Sequence, residues 1–370
     1  MGTTIIGCGK ALPALKVAND ELTALVDTSD EWISTRTGIR TRRVCVGESG
    51  IDLSEAAARR ALGWEPGDYS ERRIEPGEID LLIYATITPD AMVPSCAALL
   101  RRRLGLENAV AFDLNAACTG FIYGLTVADA MLRSTAPDVP GAAQRNRTRR
   151  ALVVGTERLT RVTNWHDRNT CVLFGDGSGA AVVEWSDERP GIISSFTRND
   201  DDFQNALTCP TAFDAPVPFD ESGVSLAMLD AADPGQAGID ESLAAAEDIA
   251  NGRPRQVLYM HGQRVFKFAT EAIVNAIHEV LDRANLTIDD IAFIVPHQAN
   301  ERIIRYAAKK MGLPVERFQL SIAHRGNSSS ACIPMTLSDA YEAGSIHPGD
   351  KVILVGFGGG FTSGAVLYEA

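Results

Sequence analysis

Cys118 stands in the run Asp113-Leu114-Asn115-Ala116-Ala117-Cys118-Thr119-Gly120-Phe121. A strand-like stretch ends, small residues turn the chain, and an amphipathic helix follows. A thiol at that junction meets the positive end of a helix dipole and free backbone N–H groups, and both favour thiolate. The small neighbours leave room for a tetrahedral thioester centre. The same run equally suits a small buried cysteine in a close-packed turn. His297 is the second candidate. Residues 291–295 read as a strand, Pro296 stops it, and His297-Gln298-Ala299-Asn300 opens a helix. A strand end is a usual position for catalysis in α/β proteins, and a capping or packing histidine fits there as well. Asn327 lies in Arg325-Gly326-Asn327-Ser328-Ser329-Ser330-Ala331-Cys332. Its amide can donate to an oxyanion or simply cap the following helix.

The run Gly356-Phe357-Gly358-Gly359-Gly360-Phe361 follows a strand. A dinucleotide fingerprint needs a full helix next and an acidic residue about 20 positions on. The residues after Gly360 read as a strand instead, which excludes it. The glycines suit close approach of backbone N–H groups to a reacting carbonyl. Gly175-Asp176-Gly177-Ser178-Gly179 feeds directly into a strand and is no phosphate loop. His261, His278 and His347 have no acidic companions at metal spacing, and His166 lies in a polar loop. His324, three residues before Asn327, is a candidate to support it.

These residues need a scaffold, and the chain supplies alternating elements. Apolar runs at 81–85, 151–154, 291–295 and 351–355 read as covered strands. Helical patterns run through 54–62, 120–132, 270–284 and 301–311. The alternation predicts a layered α/β fold. The order also repeats. Leu104-Gly105-Leu106, a strand at 109–114, a small-residue turn and a helix through Ala130 are echoed by Met311-Gly312-Leu313, a run at 315–320, a turn and a helix through Ala340. Val153-Val154-Gly155 with 179–184 is echoed by Leu354-Val355-Gly356 with 364–369. Two duplicated halves joined near residue 190 are expected. Residues 137–150 read as an exposed basic loop. Residues 199–252 hold twelve Asp and Glu and no Lys or Arg, as in a solvated insertion or a lid over a site.

Composition narrows the function. The 370 residues are 45% hydrophobic and 22% charged, which suits a globular protein and not a disordered one. The net charge of −13 argues against a general nucleic-acid surface. No apolar run approaches the length of a membrane span, and the start lacks a signal-peptide pattern. The seven cysteines are Cys8, Cys45, Cys96, Cys118, Cys171, Cys209 and Cys332. They form no CxxC or metal cluster, so a reducing, cytoplasmic setting is expected.

Cys118, His297 and Asn327 in their small-residue contexts resemble the 3-oxoacyl-acyl-carrier-protein synthase III family of the thiolase superfamily. Further anchors are Asp30-Glu31-Trp32-Ile33 with Arg36-Thr37-Gly38-Ile39, Phe174-Gly175-Asp176-Gly177-Ser178-Gly179-Ala180, Val295-Pro296-His297-Gln298-Ala299-Asn300 and the Gly356–Phe361 run. The resemblance covers nearly the whole chain. It implies a thiolase-like α/β fold whose duplicated halves form α-β-α-β-α layers. Residues 1–190 would carry the cysteine. Residues 191–370 would carry the histidine and asparagine, with the acidic insertion at 199–252.

The resemblance implies that Cys118 takes the acyl group of an acyl-CoA. Backbone N–H groups of Cys118 and Gly359 would form the first oxyanion hole. His297 and Asn327 would stabilise the enolate left when malonyl-acyl-carrier protein loses CO2, and its attack would give a 3-oxoacyl-acyl-carrier protein. No metal or redox cofactor is implied; CoA enters as part of the substrate. Trp32 and Arg168 match the pair that sandwiches the CoA adenine, with Thr28 and Arg36 beside them. Lys267, Arg302, Lys309 and Lys310 match a basic patch for the acidic carrier protein. Val93 falls where some members place a bulky aromatic from the partner subunit of a homodimer into the acyl pocket. Nucleic-acid and membrane partners are not implied. The departures are the long acidic segment, Gly262-Gln263 where Gly-Asn is common, Arg325 before Gly326, and Cys332 where serine is common. They bear on substrate, and leave open a secondary-metabolism condensing enzyme or acyltransferase acting on a non-standard nucleophile. A cysteine hydrolase and a noncatalytic carrier-binding scaffold are more distant readings.

Overall fold

The computed structural model describes residues 1–66, 69–136, 139, 148–202, 205–209, 219–220, 223–224 and 257–370. Most of the acidic segment and of the basic loop therefore lies outside the described residues.

The first sheet contains β1 (Gly2–Ala11), β2 (Leu81–Ala85), β3 (Val110–Leu114), β4 (Arg150–Arg158) and β5 (Asp176–Ser186), in the order β1-β5-β4-β2-β3. The second contains β6 (Ile192–Asn199), β7 (Phe293–Pro296), β8 (Lys351–Gly358) and β9 (Thr362–Glu369), in the order β7-β8-β9-β6. A parallel bridge from Ile294 to Phe318 adds a position outside β7. Strand senses match as well. β2 is parallel to β3 and β4, and β5 is antiparallel to β4 and β1. In the second sheet β7 and β8 are parallel, and β9 is antiparallel to β8 and β6.

Both faces of each sheet are covered, which is why the strands read as near-continuous apolar runs. Side-chain alternation divides them between layers. Leu81, Ile83 and Val153 turn inward with Val352, Leu354 and Val366, against α4 (Gly120–Ser134) and α7 (Cys332–Glu342). Leu82, Tyr84 and Leu152 turn outward against α2 (Gly50–Ala61) and α3 (Cys96–Leu104). Ile353, Val355 and Leu367 turn to α5 (Gly262–Ala284) and α6 (Glu301–Lys310). The result is helix, sheet, helix, sheet, helix, with the two helices that follow the Cys118 and Asn327 turns in the middle layer. α1 (Asp30–Thr37) lies outside these layers and is capped by Ser29, which accepts from the Trp32 N–H at 3.1 Å.

The structure differs from the sequence reading in places. The run at 315–320 forms a 3-10 turn at Val315–Arg317 and a single bridge at Phe318 rather than a strand. Pro314 precedes it, and Arg317 bonds the carbonyls of Ile288 and Ile291, so the turn holds the chain off the sheet edge. α2 begins at Gly50 because Ser49 and Asp52 form a capping box. α5 begins at Gly262, two turns before the apolar periodicity is clear.

Candidate active site

A cavity of about 1830 Å³ runs from Trp32 and Arg36 to Cys118, His297, Asn327 and the 358–360 glycines. Residues from both sheets line it. Cys118 lies in the turn Ala117–Thr119 between β3 and α4. Ala117 has φ 47°, a left-handed conformation that a residue with a Cβ adopts at some cost. Thr119 ties the turn back to the Ala116 carbonyl at 2.6 Å. The helix-start setting alone favours thiolate, but burial outweighs it and pushes the Cys118 thiol up to about 12. The Ser329 hydroxyl acts in the opposite direction, and the Glu157 charge adds to the rise.

His297 follows β7, and its backbone N–H donates to the Val355 carbonyl at 2.8 Å. The side chain is fully buried, with the Phe357 ring edge-on at 5.3 Å between centroids. Neither ring nitrogen has a hydrogen-bond partner among the described residues. Burial lowers its pKa to about 3, so the imidazole is neutral and keeps one donor and one acceptor. Asn327 is oriented by its own loop. Its Oδ1 accepts from the Ser329 N–H at 2.9 Å, and a backbone N–H can pair only with the oxygen of an amide. The NH2 is thereby left for the cavity. Cys332 lies behind it, its sulfur accepting from the Ser328 N–H at 3.1 Å. Gly358 packs on the cysteine turn: a Cβ there would sit 2.7 Å from the Cys118 nitrogen and 3.1 Å from its Cβ. A thiol, backbone N–H groups and two neutral side chains able to donate thus meet in one pocket.

The buried histidine has a stability consequence. The unfolded state takes its proton below pH 6.5 and the folded state only near 3. Stability from this group is present above 6.5 and is lost as pH falls, by at most about 1.4 kcal/mol per unit. Glu157, raised from 4.5 to about 6, acts in the opposite sense between those values. Urea unfolding of wild type and His297→Asn at several pH values should give the wild type the steeper loss below 6.5. Equal slopes would contradict neutral burial of His297.

The remaining site residues fall in distinct places. Arg36 and Arg168 both lie over the Trp32 ring, at 4.6 and 4.8 Å from its centroid. Arg168 also donates to the Asp27 carbonyl at 2.9 Å. Asn300, which caps α6, donates to the Arg36 carbonyl at 3.1 Å. The Thr28 hydroxyl is buried with no hydrogen-bond partner among the described residues. Lys267 is exposed on α5, and Arg302, Lys309 and Lys310 are exposed on the adjacent α6. Val93 is 89% exposed beside Met92 at 60%. Ala91 and Met92 line the cavity, and Val93 does not. From the acidic segment, Leu207, Thr208 and Cys209 line the cavity. Among the described residues no three His, Cys, Asp or Glu side chains form a metal-ligand group, and no helix is long and apolar enough to cross a membrane.

Family models for 3-oxoacyl-acyl-carrier-protein synthase III match residues 112–201, and those for its C-terminal part match residues 281–370. A β-ketoacyl-acyl-carrier-protein synthase III of Clostridium beijerinckii is 41% identical over 365 residues, covering 99% of this chain and 98% of the relative. The chain belongs to the 3-oxoacyl-acyl-carrier-protein synthase III family. The crystal structure of the synthase III from Aquifex aeolicus superposes with a TM-score of 0.80 at 34% identity, covering all of both chains. The priming β-ketosynthase of a polyketide biosynthetic pathway gives 0.81 at 33%, covering all of this chain and 96% of that one. The fold of this synthase III family member is therefore the thiolase-like layered α/β fold.

Two residues at this synthase III site were not singled out from sequence. Glu157 is the penultimate residue of β4 and is fully buried, and it accepts from Ser329, whose turn packs on that of Cys118. The available signal was an acidic residue closing the apolar run 151–154 at the C-terminal end of a strand, where α/β proteins place reactive groups.

Proposed function

We propose that the chain catalyses decarboxylative Claisen condensation of an acyl-CoA primer with malonyl-acyl-carrier protein, giving 3-oxoacyl-acyl-carrier protein, CoA and CO2. The observation that carries this reading is the meeting of Cys118 with a neutral, unpartnered His297 and an Asn327 whose NH2 is left free. Cys118 attacks the thioester, and the N–H groups of Cys118 and Gly359 receive the developing oxyanion. Malonyl thioester then replaces CoA. Loss of CO2 puts charge on the thioester oxygen, where His297 and Asn327 donate. Neutral donors suit this step, because departure of CO2 leaves no proton to remove. The reaction uses no metal or redox cofactor.

Trp32, Arg36, Arg168 and Thr28 hold the CoA nucleotide in this reading. The Arg168–Trp32 stack is closed, so adenine binding requires the guanidinium to lift from the indole and cover the base. Exposed Lys267, Arg302, Lys309 and Lys310 receive the acidic carrier protein; a local basic field suffices despite the net charge of −13. The exposed Val93 loop fits a homodimer in which the partner subunit completes the acyl pocket. The matching strand orders support repeated halves at 1–190 and 191–370, and the expected setting is the cytoplasm. Likeness to a polyketide priming ketosynthase favours one second reading, a secondary-metabolism enzyme that passes the acyl group to another nucleophile.

Intact-protein mass spectrometry with a panel of acyl-CoAs, followed by malonyl-acyl-carrier protein, tests this. One acyl mass should appear and then vanish as 3-oxoacyl-carrier protein forms. An adduct that persists supports the second reading, and no adduct with any primer removes both. Gly358→Ala provides a sharper check on the pocket. The added methyl meets backbone and must displace the Cys118 turn; misplacement by about 1 Å can cost about 10²-fold. Acylation should fall by that order with the fold retained by circular dichroism. An unchanged rate would remove the close Gly358–Cys118 approach from the mechanism.

A further inference from the structure

Glu157 is a fully buried carboxylate with no cation against it among the described residues. It accepts from the hydroxyls of Thr88 at 2.6 Å, Ser330 at 2.8 Å, Ser329 at 3.2 Å and Thr86 at 3.3 Å, and from the Ile87 N–H at 3.2 Å. Arg158, the next residue, turns to Asp90 at 3.1 Å. Tying these loops together needs only neutral groups, and a buried anion is costly. The position of one donor explains the charge. Ser329 has φ 46°, matching Ala117 at 47° in the facing turn, and the two turns pack on each other. The Ser329 hydroxyl donates to Glu157 and lines the same cavity as Cys118, whose thiol pKa it lowers. Among the described residues both His297 ring nitrogens lack a partner. Where the two turns meet, Ser329 therefore leads on from the thiol to Glu157, whereas the imidazole makes no onward hydrogen bond among the described residues.

We propose that Cys118, Ser329 and Glu157 form a proton relay for acyl transfer, with Glu157 as its terminal acceptor. This rests on the acylation of Cys118 proposed above. As the sulfur lone pair forms the new bond to the thioester carbon, the S–H bond breaks and its proton passes to the Ser329 oxygen. Ser329 gives its own proton to Glu157. When the carbon–sulfur bond to CoA breaks, the proton returns by the same path to the leaving sulfur, giving acyl-Cys118 and CoA thiol. The buried site carries one negative charge throughout, which moves from the carboxylate to the oxygen of the tetrahedral intermediate, then to the departing CoA sulfur, and returns to the carboxylate as that sulfur is protonated. No second charge is desolvated.

Burial raises Glu157 to about 6 and the thiol to about 12. The resting charge at neutral pH is thus on the carboxylate, and the proton moves as the bond to carbon forms. The ionisable groups facing Glu157 are the thiols of Cys118 and Cys209, both of which feel its charge; His297 nearby is neutral.

The test is single-turnover acylation of the full chain by acyl-CoA, followed by CoA release and intact mass from about pH 5 to 9. CO2 release from malonyl-acyl-carrier protein, which moves no thiol proton, is measured in parallel. Wild type should show acylation rising through a pKa near 6 and then level. Glu157→Gln should lower neutral-pH acylation roughly 10²-fold, abolish that inflection, and leave a rate that climbs steadily with pH. CO2 release should change by less than about threefold. Glu157→Asp should restore the inflection at a reduced rate. Ser329→Ala should reproduce Glu157→Gln, and serves as the test if that variant does not fold. Equal loss of both steps with the profile shape retained means that Glu157 only supports the loop, and overturns the relay. So does an unchanged acylation profile. A wild-type chain that no acyl-CoA acylates overturns the proposed function itself, a distinct result.

Discussion

Cys118→Ala is expected to abolish covalent acylation and condensation together. In the proposed reaction the sulfur is the nucleophile, and its turn is closely packed around it. Ala117 holds a left-handed φ of 47°, and Gly358 leaves no room for a larger neighbour. Alanine fits the same space, so the fold and the CoA-facing residues should survive the change. The loss should therefore be in chemistry and not in binding, and no acyl mass should appear with any primer. Removing a covalent nucleophile commonly costs on the order of 10⁴–10⁶-fold. Persistence of the same adduct in the variant would sink the assignment, and would direct attention to Cys209, the other thiol lining the cavity. Free acid released by wild type without condensed product would instead indicate a hydrolase. Carrier protein bound without any adduct would indicate a scaffold.

His297→Ala and Asn327→Ala should separate the two half-reactions. Each removes one donor from the position of the enolate oxygen, and a donor of this kind is worth about 10²–10³-fold. Decarboxylation of malonyl-acyl-carrier protein should fall by that order in either variant. Acylation should fall by less, because Cys118 has its own contact with Ser329 and does not hydrogen-bond His297. The double variant should lose less than the product of the single effects, since both donors serve one oxygen. The pH dependence is also informative. With its pKa lowered to about 3, His297 stays neutral at working pH, so decarboxylation should show no inflection near 6.5. An inflection there, or equal loss of both half-reactions, would contradict the assigned role.

The sequence determined much of this by itself. Continuous apolar runs marked strands covered on both faces, and helical periodicity marked α4 and α6 nearly to the residue. Cys118, His297 and Asn327 were visible because each stands where a strand or turn gives way to a helix, a pattern local to a few residues. The expectation of repeated halves arose because similar units follow one another in the same order. Where local signals were weak, the bounds moved, as at Pro314 and Ser49. Tertiary structure alone decided the electrostatics. Helix-start logic suggested a thiolate at Cys118, but desolvation by distant segments reverses that at rest. His297 is neutral because strands and helices far away in the chain exclude water from it. Asn327 points its NH2 to the cavity because Ser329 holds the oxygen. Glu157 and Ser329 are 172 positions apart, and no local pattern connects them. Dielectric and hydrogen-bond reach are properties of space, and they appear only once the two sheets have been brought together around the cavity.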